Sequence, residues 1–159
     1  MNTAQLLLFQ GQKIDNYKPI IQIAIEPSFD KSFFLQLVIS DNKVYWYRTT
    51  WERLIDAPKF SNPIESLKYI GQNIKPTIFY ENGIIEKENI NHIIEFIKTI
   101  SVKPRIDNWG GILLDGINCT LTIGVENTQT TYEWTYLPEE WTELERLRKL
   151  LEELNQEIK

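Results

Sequence analysis

One cysteine and one histidine in 159 residues leave little material for the commonest protein chemistries. Cys119 cannot form an internal disulfide, and a chain that does without one suits a reducing compartment. With His92 the sole imidazole, a soft-ligand metal site has too few members. Glycine motifs of the GxGxxG or Walker type, GxSxG, HExxH and Asp-rich calcium loops are all missing. Long apolar runs are missing too. The opening MNTAQLLLFQGQK is apolar only from Leu6 to Phe9 and has no basic stretch, which is too short for a signal peptide or a membrane span. The expectation is a cytoplasmic chain with no cofactor, no metal and no membrane association.

What is present suits a folded domain. Hydrophobic residues make up 42% and aromatics 12%, ample for a core, and the length fits one domain, residues 1–159. The abundance of Ile, Asn and Lys sets up the expectation of a bacterial source with an AT-rich genome. Lys+Arg 17 against Asp+Glu 22 gives a formal charge of −5, which disfavours nucleic-acid binding because that depends on phosphate neutralisation. The charge is uneven: residues 1–106 hold 13 basic and 11 acidic side chains, residues 107–159 hold 4 and 11. A net −7 over the last third is either an acidic interaction face or a solvated helix surface.

Apolar periodicity lays out the elements. PIIQIAI reads as a strand closed by Glu26-Pro27-Ser28. In SFFLQLVIS the period is two, with Phe33, Leu35, Leu37 and Ile39 on the inward face. Asp41-Asn42 then returns the chain into KVYWYRTTW as a hairpin. Asn62-Pro63-Ile64-Glu65 has the cap, proline and capping-box glutamate of a helix start, predicting a helix over 63–74. A short strand is expected at Thr77 to Tyr80, with Asn82-Gly83 as a turn. Ile90, Ile93, Ile94, Ile97 and Ile100 share one face of a helix over 87–100.

The last third is the most legible stretch: a short strand from Trp109, a tight Asp115-Gly116 turn, and alternating Cys119, Leu121, Ile123 and Val125. Thr128-Gln129 is a turn candidate before a strand carrying Tyr132, Trp134 and Tyr136. Pro138, followed by Glu139 and Glu140, starts a helix over 139–157, with Trp141, Leu144, Leu147, Leu151, Leu154 and Ile158 in one stripe. The fold class expected is α+β: an antiparallel sheet of an N-terminal hairpin and a C-terminal meander, with about three helices on one side. One sheet or two remain alternatives at this point.

Chemistry has few candidates. His92 points away from the isoleucine face, with Glu88 four residues before and Glu95 three after; it reads as a surface histidine or as a general base oriented by glutamate. Cys119 alternates onto an apolar face, which predicts a buried thiol and no nucleophile. The loop Asp107-Asn108-Trp109-Gly110-Gly111 serves a sharp strand entry or a substrate contact. Tyr132, Trp134 and Tyr136 would make an apolar strip rimmed by acids if they face away from the helix, and core if they face it.

Leu114-Asp115-Gly116, Tyr132, Trp134, Pro138 and Trp141 carry a resemblance. This ending, about a third of the chain, resembles that of small acidic α+β bacterial immunity proteins of polymorphic or contact-dependent toxin systems. The resemblance implies a protein without a catalytic motif; with the acidic charge, the expectation is a protein that occludes a basic toxin domain, as a monomer or homodimer. The partner-binding residues expected are Glu126, Glu133, Glu139, Glu140 and Glu143, with Tyr132 or Trp134 as anchor. The alternatives are a hydrolase built on carboxylates and His92, or a non-catalytic subunit or scaffold of a bacterial assembly.

Overall fold

In the computed structural model, the alternating segments form β1 (Ile21–Pro27), β2 (Ser32–Ser40) and β3 (Lys43–Trp51), with Asn42 in the turn before β3. The structure describes residues 20–27, 31–40, 42–52, 54–56, 76–102, 116–125 and 128–158. The predicted helix over 63–74, the first 18 residues, the strand from Trp109 and the 107–111 loop lie outside them. Further on come β4 (Ile78–Glu86), a 3₁₀ turn (Lys87–Ile90), α1 (Asn91–Thr99), β5 (Ile117–Val125) and β6 (Thr128–Trp134). A second 3₁₀ turn (Glu139–Trp141) leads into α2 (Thr142–Glu157). The fold is α+β.

All six strands form one antiparallel sheet in the order β4-β3-β2-β1-β5-β6, which resolves the one-or-two-sheet alternative. The joint is β1, paired on one side with β2 and on the other with β5. Register follows from the apolar pattern: Ile23 sits between Leu35 and Leu121, and Ile21 between Leu37 and Ile123. A slip of one residue would turn every one of these side chains to the other face. Together with Val44, Trp46 and Cys119 they meet Ile90, Ile93, Ile94 and Ile97 from the α1 region and Leu144, Leu147, Leu151, Leu154 and Ile158 from the α2 region in one core. The two stripes read from the sequence are thus the buried faces of the two helices.

Two expected turns change. Asn82-Gly83 is no turn; both residues lie inside β4, opposite Tyr47 and Trp46. The indole of Trp46 occupies the space a Cβ on Gly83 would need, at 2.7 Å, so this glycine answers a packing demand from the next strand. Thr128-Gln129 is likewise strand, since Val125 already pairs with Thr128. The sheet face away from α1 and α2 is also covered at its centre: Ala24, Phe34, Val38, Thr49 and Trp51 are buried there, and Gln22 donates to the buried Gln36 at 3.2 Å. The central strands therefore carry apolar residues at successive positions and not only at alternate ones.

Candidate functional site

The acidic end of the molecule is built by the passage from β6 into α2. Tyr132 and Trp134 lie on the helix-facing side of β6, half-buried, because their partners across the ladder are Leu121 and Cys119. Both meet the ring of Trp141 edge-on, at centroid distances of 5.8 and 6.4 Å. These aromatics thus clamp the strand to the helix start, and the strip imagined with all three facing away from the helix does not form. Tyr136, beyond the end of the strand, is 60% exposed.

The predicted carboxylates separate into kinds. Glu139 and Glu140 are exposed on the 3₁₀ turn that starts at buried Pro138, whose carbonyl accepts from the Trp141 amide at 2.9 Å. Glu143 is half-buried and accepts from the Ser101 amide at 2.9 Å, tying the end of α1 to the first turn of α2. Glu133 is exposed and lies opposite Thr120, on the sheet face away from the helices. Glu126 lies outside the described residues. The structure brings Glu139, Glu140 and Tyr136 together on one short connection and sets Glu133 on another face.

Farther along α2, Glu145 and Glu152 are matched. Arg148 reaches Glu145 at 2.7 Å and Glu152 at 2.5 Å, and Lys149 adds a longer contact of 3.6 Å to Glu145. The guanidinium holds the Glu145 carboxyl below its ordinary range. Arg146 lies over the Phe96 ring at 4.7 Å, a cation–π contact across the two helices. Part of the −7 charge of residues 107–159 is therefore neutralised locally.

His92 is exposed on α1 and lines neither groove described below. Glu95 turns to Lys98 at 2.7 Å. Cys119 is buried, and burial pushes its thiol up to about 12, so the nucleophilic thiolate is suppressed at neutral pH. Among the described residues no group of three or more His, Cys, Asp or Glu could hold a metal ion, and no helix is long and apolar enough to cross a membrane.

Sequence spacing missed a groove of about 480 Å³ beside β3 and β4, lined by Lys31, Arg48, Glu52, Phe79, Tyr80 and Glu81 among others. Its charges are already matched: Lys31 pairs with Glu52, and Arg48 with Glu81 at 2.8 Å. The one available signal was a cation at an inward position, since Arg48 follows Val44 and Trp46 on the core-facing side of β3. A second groove of about 390 Å³ has Trp46, Ile84, Ile85, Glu86, Leu154 and Glu157 in its wall and is mixed in character. Such arrangements can hold a contact surface; neither groove joins a base to a nucleophile. No family model matches the sequence, and no curated protein or solved structure matches it either.

Proposed function

We propose that the chain is a binding protein, and more specifically a bacterial immunity protein that covers a basic toxin domain with its acidic end. One observation carries this reading: the connection from β6 to α2 sets an exposed tyrosine, Tyr136, beside two exposed carboxylates, Glu139 and Glu140. A tyrosine supplies rigid apolar contact with a polar tip, and carboxylates around it steer a cationic partner. The connection is anchored behind by buried Pro138 and by Trp141 against Tyr132 and Trp134, which makes the presented residues preorganised. Glu133 adds a carboxylate on the other sheet face, and Glu143 holds the helix pair that carries the turn.

The test begins with the gene directly upstream. Its product's C-terminal domain, expressed alone in a bacterial host, is expected to arrest growth, and co-expression of this chain is expected to restore it. Arrest that persists despite soluble co-expression of this chain would remove the immunity reading.

A further inference from the structure

Among the described residues β4 forms one edge of the sheet. Natural edges are usually blunted by charged side chains, lysine above all, by proline or by a bulge, and of these β4 has only Glu81 and Glu86. Here β4 contains no lysine or proline, and its pairing with β3 runs unbroken from Lys43–Glu86 to Trp51–Ile78. Its apolar side chains are also displayed: Phe79, Tyr80 and Ile84 are 48%, 52% and 53% exposed. The other edge differs, since β6 starts Thr128-Gln129-Thr130-Thr131 and is polar there.

We infer that the occupant of this edge is β4 of a second copy of the chain, antiparallel, about a two-fold axis normal to the sheet at Asn82. The argument is that the strand is complementary to itself in this register. Tyr80 falls opposite the partner's Ile84 on one face, and Phe79 opposite the partner's Ile85 on the other. Aromatic against β-branched is among the favourable cross-strand pairs. Glu81, whose charge Arg48 already balances at 2.8 Å, falls opposite the partner's Gly83, which sets no second carboxylate or bulky side chain of its own against it. Asn82 meets the partner's Asn82, and Ile78 the partner's Glu86. Moving the axis to Glu81 sets two carboxylates against each other and pairs Phe79 with glycine. Moving it to Gly83 carries Phe79 past the end of the partner strand. An axis at Asn82 keeps α1 and α2 of both copies on the same side of the continued sheet, and the contact is isologous and closed.

Sedimentation velocity of the full chain over a wide concentration series is expected to show a dimer. Tyr80→Lys combined with Ile84→Lys places like charges in both outer pairs and is expected to abolish it, with the far-UV circular dichroism unchanged. Tyr80→Glu combined with Ile84→Lys turns the same pairs into opposite charges and is expected to restore the dimer. Independently, Asn82→Cys is expected to form a disulfide-linked dimer under mild oxidation, and Tyr80→Cys is not. A monomer at every concentration would overturn the inference. So would a dimer that survives the double lysine change, or crosslinking from position 80 as fast as from position 82.

Discussion

Arg48 Nη1 donates to the backbone carbonyl of Asn155 at 2.6 Å, so a strand residue caps the C-terminal end of a helix 107 positions away. The same guanidinium approaches the Ile158 carbonyl at 3.4 Å, and its Nε donates to Glu81. The last turn of α2 has no basic residue of its own, so this cation from β3 meets the helix's unsatisfied carbonyls and its negative end. Replacing Arg48 with Met should cost about 2 kcal/mol, from charge-assisted bonds lost in a half-buried place. Arg48→Lys should recover little, because one ammonium cannot reach both helix and strand in the geometry of the fork. Urea denaturation with an unchanged m value is the measurement.

Gly83 and Trp46 make a second test of packing. A methyl group at 83 would sit 2.7 Å from the indole ring, so Gly83→Ala should destabilise by about 1–3 kcal/mol despite strand propensity favouring alanine. Trimming the ring with Trp46→Phe should absorb part of that loss. A double-mutant cycle would show the two changes to be non-additive.

Asp56 is fully buried and accepts from Trp51 Nε1 at 2.8 Å, from the Thr77 amide at 2.6 Å and from Thr77 Oγ1 at 2.7 Å. Asp56→Ala leaves these donors without their carboxylate, and the expected loss is about 3 kcal/mol or more. Thermal unfolding reads the loss, and a red-shifted Trp51 emission would report water reaching the indole.

Cys119 sets a pH limit. In the unfolded chain the thiol ionises near its ordinary value of 9.0, while burial raises it to about 12 in the fold. A raised folded value means that its contribution to stability is complete below 9.0 and is lost as pH climbs toward about 12. Cys119→Ala should flatten that alkaline decline at a modest packing cost. At neutral pH iodoacetamide should label the wild-type thiol only as fast as the protein opens. Glu145 acts with the opposite sign: its lowered carboxyl supports the fold above the ordinary 4.5 and loses that effect as acid protonates it.

The elements legible in the sequence are those whose pattern and turn chemistry agree locally. The β2–β3 hairpin has two strand-length runs of β-branched and aromatic residues flanking Asp41-Asn42, and α2 has a proline start, acidic first turn and leucine stripe. Asn82-Gly83 misled because the glycine is demanded by Trp46 across the ladder, a contact that no local window contains. The burial of Phe34 and Val38 was hidden for a related reason: alternation marks one inward face and is silent about a second. Of the expected site, Glu139 and Glu140 sit exposed on the turn as a helix start implies, while Tyr132 and Trp134 are turned inward by their ladder partners. The grooves and the Arg48 bridge join residues too far apart in sequence for any spacing rule.

The sharpest trial of the binding proposal is kinetic: stopped-flow association between this chain and the C-terminal domain encoded directly upstream, across a salt series. For the wild-type chain the rate is expected to fall steeply with ionic strength. For Glu139→Lys combined with Glu140→Lys it should be slower by at least about tenfold at low salt and nearly flat. Equal rates and equal salt slopes for the two proteins would contradict a partner steered onto the turn after β6.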